Sequence, residues 1–259
     1  MILGILQARA SSRRLPGKVL KPILGRPMLE RQIERLRRAR RLDKLVVATS
    51  TDPSDDAIAA LCLSLAVDCF RGSLEDVLDR FYQAARRYAP CAVVRLTGDC
   101  PLADPEVIDR LIDMHVAGGF DYTSNVVQRS YPDGLDAEVM EFHCLETAWR
   151  EATLPSEREH VTPFIRSQRE RYRFGDLVQA RDLSDRRWVV DDPEDFAFIS
   201  AIYEALYPAN PAFTTADILA LLERRPDIAA MMGQAPTNEG YQRSLAADAA
   251  AFAARKGKH

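Results

Sequence analysis

The stretch that decides the reading is Ile2-Leu3-Gly4-Ile5-Leu6-Gln7-Ala8-Arg9-Ala10-Ser11-Ser12-Arg13-Arg14-Leu15-Pro16-Gly17-Lys18. An apolar run the length of one buried strand passes directly into a loop of small residues and cations. Open α/β sheets hold their ligands at this position, just past the carboxyl end of a strand. Small residues let backbone N–H groups approach an anion, and Pro16-Gly17 sets a turn. Arg9, Arg14 and Lys18 supply the charge to neutralise a polyphosphate. The G-x-x-x-x-G-K-[ST] spacing of a Walker A loop is absent. Taken alone, the segment also fits an exposed basic surface loop, so the rest of the chain must decide.

Outward from it, short β-branched runs alternate with amphipathic stretches over the first hundred residues. Strands are expected at 2–6, 45–49, 67–70 and 92–96. Leu29, Ile33 and Leu36 recur at helical spacing after Pro27, which suits a first helical position. Val77, Leu78, Phe81, Ala85 and Tyr88 repeat the pattern after Ser73, placed to cap that helix. The order β, α, β, α, β, α, β predicts a mainly parallel sheet with helices on both faces. After about residue 120 the rhythm loosens into an irregular α+β insertion, with strands at 137–142 and 172–178 and helices at 145–152 and 157–168. Residues 187–190 read as a strand returning to the main sheet, followed by a helix opened by Asp192-Pro193. A further helix over 215–224 leads into an Ala-rich tail whose last residues are expected to be mobile.

The 259 residues, 47% hydrophobic, suffice for a large buried core. Lys and Arg total 35 against 38 Asp and Glu, a net charge of −3, which offers nucleic acid or a membrane surface no global attraction. Any anion site must be local. The start lacks the basic lead and length of an export signal or a membrane span, so a cytoplasmic protein is expected. Cys62, Cys69, Cys91, Cys100 and Cys144 form no C-x-x-C pair and read as reduced, mostly buried thiols. His115 and His143 have no evident company and read as surface or core residues.

Two acidic elements complete the pattern. Thr97-Gly98-Asp99-Cys100-Pro101-Leu102 closes the strand at 92–96 and would face the same crevice as the basic loop. A carboxylate beside a polyphosphate suits Mg²⁺, which takes one or two protein carboxylates plus phosphate oxygens, so Asp99 is the first candidate ligand. A turn aspartate bonding nearby backbone is the plainer alternative. In Trp188-Val189-Val190-Asp191-Asp192-Pro193, Asp191 is the second candidate ligand and Asp192 the N-cap before Pro193. By topology Ala8, Arg9, Thr49, Ser50, Thr51 and Thr97 border the base pocket, although Ser50 and Thr51 serve equally well as turn residues. Asp133, Asp136, Glu138, Glu159, His160 and Arg166 are candidate acceptor-binding residues, with His160 able to act as donor or base near neutral pH. Residues 157–166 also fit a solvated helix.

With these motifs the chain resembles the cytidylyltransferases of the acylneuraminate and CMP-KDO synthetase group, most closely the SpsF-like members associated with spore-coat and other surface polysaccharides. The likeness covers nearly the whole chain. It falls on Arg9, Ser12 and Arg14-Leu15-Pro16-Gly17-Lys18, on Gly98-Asp99 with Pro101-Leu102, and on Asp191 with Pro193-Glu194-Asp195. Further matching stretches are Arg71-Gly72-Ser73 with Asp76-Val77-Leu78-Asp79-Arg80, Tyr131-Pro132-Asp133-Gly134-Leu135-Asp136 with Glu138, and Glu157 to Pro163. Ser11 stands where close relatives often have Gly, and Thr97 where CMP-KDO synthetases carry a base-reading Gln.

The resemblance implies a Rossmann-like, GT-A-like nucleotidyltransferase fold that activates a sugar acid or phosphorylated polyol with CTP and releases pyrophosphate. It also implies Mg²⁺ on Asp99 and Asp191, leaving-group stabilisation by Arg14 and Lys18, and nucleotide contacts from Ala8, Arg9, Ser12, Thr49, Ser50, Thr97 and Gly98. The implied organisation is a catalytic domain over 1–210, with an acceptor and dimerisation subregion at 120–180, and a C-terminal helical extension over 211–259; a homodimer is expected. Two other readings compete. A nucleotide-sugar glycosyltransferase of similar build usually carries a D-x-D element, where Thr97-Gly98-Asp99 offers one acid. A catalytically silent nucleotide-binding module has no use for Lys18, Asp99 and Asp191 together.

Overall fold

In the computed structural model the chain runs through β1 (Ile2–Gln7), a short hairpin of β2 (Pro22–Ile23) and β3 (Arg26–Pro27), α1 (Met28–Leu36), β4 (Lys44–Ser50), α2 (Asp56–Ser64), β5 (Asp68–Gly72), α3 (Val77–Arg86), β6 (Ala92–Thr97) and α4 (Pro105–Gly118). It continues through β7 (Tyr122–Ser124), β8 (Glu138–Glu141), α5 (Phe142–Glu151), α6 (Pro155–His160), α7 (Pro163–Ser167), β9 (Phe174–Asp176), α8 (Pro193–Leu206), α9 (Thr215–Arg224) and α10 (Pro226–Ala229). The structure describes residues 1–234 together with 241–242, 244–246 and 248–249; the expected mobile end of the tail lies outside them.

The main sheet has the order β5-β4-β1-β6-β8-β7-β9, and every strand except β8 runs parallel to β1. β1 lies deep inside it, with Leu3, Ile5 and Leu6 fully buried, which is why its sequence is apolar on both faces. One face carries α1, α2, α4 and α8, packing Leu29, Ile58, Ile108 and Phe198 onto Leu6, Val47 and Val94. The other carries α3, α5 and α7, packing Phe81, Leu145 and Ile165 onto Leu3, Ile5 and Val93. Each such fully buried side chain contributes about 1.5–3 kcal/mol, so the doubly covered sheet dominates stability. Ile218 of α9 and Ile228 of α10 join the first of these cores. Among the described residues, no helix is long and apolar enough to cross a membrane. All five cysteines are free.

Several expectations are corrected. Residues 187–190 do not join the sheet: β6 already has β1 and β8 as neighbours, so the segment crosses the sheet's end and makes a single parallel bridge from Arg187 to Asp133. The expected helix at 157–168 breaks into α6 and α7 at Val161, whose φ of 71° lies outside the helical region, just before Pro163 opens a new first turn. Asp76 rather than Ser73 caps α3, accepting from Asp79 N at 2.9 Å, while Ser73 Oγ accepts from Asp76 N. Pro27 precedes α1 as its N-cap in extended conformation. Strand β7 and the β2–β3 hairpin, each three residues or fewer, carry no periodicity to read.

Candidate active site

The loop after β1 is held from both ends. Ala10 N donates to Asp55 Oδ1 at 2.7 Å, Gly17 N closes back on Ala10 O at 2.8 Å, and Leu15 is buried in the core. Gly17 adopts φ 69°, the left-handed turn that Pro16-Gly17 provides. Ser11, Ser12, Arg13 and Arg14 are thereby left lining a cleft of about 920 Å³ at the carboxyl ends of β1 and β6.

Lys18 is the hub of that cleft. Its Nζ donates to Val190 O at 2.7 Å and Asp191 Oδ1 at 3.0 Å, and lies 3.4 Å from Asp99 Oδ2. Burial pulls the Lys18 pKa down, but Asp99 and Asp191 outweigh it and the net shift is upward, so Lys18 is charged. Burial opposes ionisation of Asp99 as well, and Lys18 reverses the balance, leaving that carboxyl below its ordinary value. Arg14 pairs with Asp191 at 2.7 Å and with Asp192 at 3.1 Å. The structure therefore brings the four residues Arg14, Lys18, Asp99 and Asp191 to one point, although they are separated by up to 177 positions along the chain.

The two acids are positioned from behind. Gly98 lies so close to β1 that a Cβ there would sit 2.9 Å from Gln7 O. Val190 N donates to Asp99 O at 2.8 Å, fastening residues 187–191 to the end of β6. Asp195 accepts from the backbone N–H groups of Asp191 and Asp192, capping α8, and is itself held by buried Arg187 at 2.8 Å. Asp192 is the N-cap residue, as its sequence position suggests, yet its Oδ2 also faces Arg14.

Asp133, Asp136, Glu138, Glu159 and His160 line the same cleft, and Arg187 reaches both Asp133 at 4.0 Å and Asp191 at 3.4 Å. Arg129 pairs with Asp136 at 3.0 Å and reaches Asp133 at 3.6 Å, and buried Glu138 pairs with Arg95 and accepts from Tyr122. Asn125 clamps the loop beneath them, donating to Leu135 O and accepting from Ala137 N. His160 does not titrate near neutral pH: burial pushes it down to about 4, so it is a neutral partner of Ser244 Oγ at 2.8 Å, which in turn donates to Glu159. Arg166 is not among the residues lining the cleft; it stacks on Tyr241 at 5.5 Å and acts on Glu138 by charge.

Burial, reinforced by Asp136, raises the Asp133 carboxyl from 3.8 to about 6. The folded chain keeps this proton where the unfolded chain has lost it, so stability falls as pH rises through about 4 to 6 and stays lower above. Asp133→Asn is neutral and nearly isosteric. Denaturant titration at about pH 7.5 is expected to find the variant more stable by about 1–3 kcal/mol, with the gain vanishing near pH 4. A variant less stable at both values would instead make the carboxylate a needed partner of Arg129 and Arg187.

Thr49 and Ser50 do not line the cleft. Both are fully buried, and Ser50 Oγ donates to Asp55 at 2.5 Å within the turn that anchors the basic loop. Ala8, Arg9, Ser12, Thr97 and Gly98 do line it. Sequence reasoning missed Arg80, Arg95 and Arg158, which line the same cleft. Arg80 is 1% exposed, donates to Ser73 O at 2.6 Å, and its Nε has no partner among the described residues. Burial, then Arg9, lowers it to about 10. The one available signal was an arginine at helical spacing among the apolar residues of α3, where the core face would otherwise continue.

A family profile described as Cytidylyltransferase matches residues 3–210. The spore coat polysaccharide biosynthesis protein SpsF of Bacillus subtilis is 36% identical over 88% of this chain and 96% of its own length. The structure of a cytidylyltransferase from Leptospira borgpetersenii superposes with a TM-score of 0.85 at 30% identity, covering 92% of this chain and 99% of the other. CMP:2-keto-3-deoxy-manno-octonic acid synthetase complexed with CTP shares the fold, with a TM-score of 0.60 at 17% identity over 79% of this chain and 98% of the other. A doubly covered, mainly parallel sheet, a basic loop closing on two aspartates, and these matches along most of its length lead to one conclusion: the chain belongs to the cytidylyltransferase family and is a nucleotidyltransferase.

Proposed function

We propose that the cleft transfers a cytidylyl group from CTP to a hydroxyl of a sugar acid, releasing pyrophosphate, in the biosynthesis of a surface polysaccharide. The observation that carries this reading is the convergence of Lys18 on Asp99 and Asp191 at the end of the basic loop. Arg14 and Lys18 exchange their carboxylate partners for the triphosphate and stabilise charge on the leaving pyrophosphate. Gln7, Ala8, Arg9, Ser12, Thr97 and Gly98 border the base and ribose, and the buried guanidinium of Arg80 faces the same space. The acceptor occupies the part lined by Asp133, Asp136, Glu138, Glu159 and His160. Its hydroxyl oxygen bonds to the α-phosphorus, the bond from that phosphorus to the bridging oxygen breaks, and the hydroxyl proton passes to Asp133, whose raised pKa suits it to hold one.

The residues fit a hard divalent cation. Asp99 and Asp191 offer oxygen donors only and both reach the single point charge of Lys18, so the pair would suit one compact hard cation. They would hold Mg²⁺, which when bound neutralises phosphate charge and orients the reacting oxygens.

The test is incubation with CTP, Mg²⁺ and candidate sugar acids, 3-deoxy-manno-octulosonate among them, assayed for pyrophosphate. Asp99→Asn is expected to raise the Mg²⁺ concentration for half-maximal rate by about tenfold or more, since it removes a ligand charge. An unchanged metal titration would take Asp99 out of the site. Thermal stabilisation by UTP or ATP but not by CTP would overturn the cytidylyl assignment.

A further inference from the structure

Away from the cleft, the start of β7 and the first turn of α5 bring together three side chains of a different kind. Asp121, His143 and Cys144 place a carboxylate oxygen, a ring nitrogen and a sulfur within 4.8 Å of one another. His143 Nε2 lies 3.3 Å from Cys144 Sγ and 3.5 Å from Asp121 Oδ1. The geometry points to a binding site for a zinc-class transition-metal ion, separate from the nucleotide cleft and its oxygen-only carboxylates.

The spacing is the first argument. Tetrahedral zinc, with bonds of about 2.0 Å to nitrogen and oxygen and about 2.3 Å to sulfur, sets its ligand atoms about 3.3–3.5 Å apart. The two measured edges match that spacing. The donor set is the second. Thiolate, imidazole and one carboxylate favour zinc over Mg²⁺, which prefers oxygen ligands and an octahedral shell.

The third argument is support from behind. Asp121 Oδ2 accepts from Arg173 N at 2.8 Å, and this leaves Oδ1 turned toward His143. Asp121 O accepts from Glu141 N at 3.0 Å, which fixes the distance between the β7 entry and the α5 start. Such outer contacts are what orient ligands in metal sites. The His143 side chain is 60% exposed, so the fourth coordination position opens to water. Binding breaks the Cys144 S–H bond and releases that proton to solvent as the sulfur–metal bond forms. The ion then clasps the entry of β7 to the first turn of α5.

The experiment uses the full chain, stripped of metal by chelator and titrated with Co²⁺ in the presence of excess Mg²⁺. One equivalent is expected to bind with a near-ultraviolet thiolate-to-cobalt absorption. His143→Ala, an exposed change that leaves the fold intact, is expected to weaken binding by at least about tenfold. Cys144→Ser is expected to remove the thiolate band. Zn²⁺ should raise the melting temperature of the parent and not of His143→Ala. Absence of a thiolate–cobalt band in the parent, or a band undiminished in His143→Ala, would overturn the site. CTP turnover plays no part in these readouts, so the inference stands or falls independently of the proposed function.

Discussion

Replacing Lys18 with methionine is expected to cut CTP-dependent pyrophosphate release by about a hundredfold or more while Mg²⁺ binding to the nucleotide-free protein tightens. The first effect follows from position. Lys18 is 8% exposed and, among the described residues, its ammonium is the one charge that touches Asp99, Asp191 and the Val190 carbonyl together. A preorganised cation in a water-poor site supplies about 3 kcal/mol to a transition state that builds negative charge, which converts to the stated rate loss. The second effect follows from competition, because without a nucleotide the ammonium occupies the ground between the two carboxylates that a divalent cation needs. Methionine keeps the length of the stem, so the core around Val19 is not emptied. Lys18→Arg should not restore turnover, since a planar fork cannot replace a compact charge in a pocket of this size. Parent-level turnover in Lys18→Met would remove Lys18 from the chemistry. Unchanged Mg²⁺ affinity would separate the carboxylates from the metal.

Gly134→Ala is expected to destabilise the protein by about 3 kcal/mol or more and to abolish most activity, although Gly134 contributes no functional group. Its φ is 116°, and an added Cβ would sit 2.5 Å from Trp188 C, 2.6 Å from Trp188 O and 2.7 Å from Val189 N. These are backbone atoms, which cannot rotate aside. The contact is close because Trp188 N donates to Asp133 O at 2.6 Å and Asp133 N donates to Arg186 O at 2.8 Å. Pushing the two segments apart would carry away Asp191, and with it the partner of Arg14 and Lys18. Gly17→Ala is the control. It shares a positive φ, of 69°, but has nothing within 4 Å, so its cost is expected to stay near 1–2 kcal/mol, roughly the left-handed penalty alone. Chemical denaturation of both variants separates the readings, and equal losses would show that the Asp133–Trp188 clamp carries no strain.

Strands β1, β4 and β6 were legible because they lie inside a doubly covered sheet, where burial on both faces forces apolar runs of strand length. The motifs of the cleft were legible for a related reason. Arg14, Lys18, Asp99 and Asp191 sit just past strand ends or in a loop between core elements, and charged residues there have few structural duties. Residues 187–190 show where pattern fails. Arg187, Trp188, Val189 and Val190 are all buried, as in a strand covered on both faces, yet the hydrogen-bond partners are Asp133 and Asp99 rather than a neighbouring strand. An apolar run reports that a segment is covered and is silent about what sits beside its backbone. Ser50 fails for another reason, since a hydroxyl at a strand's end looks the same whether it faces a ligand or the buried Asp55 carboxylate.

The sequence by itself determined the layered α/β class, the place of the basic loop and the identity of the two acids opposite it. All three depend on local rules of burial period, turn chemistry and the position of strand ends. Only the tertiary structure decided that Arg80, Arg95 and Arg158 share the cleft, that His160 is neutral, and that Asp133 holds its proton to about pH 6. It alone decided, too, that Asp121 meets His143 and Cys144. Those are properties of distance and desolvation between groups far apart along the chain, and no spacing in one dimension encodes them.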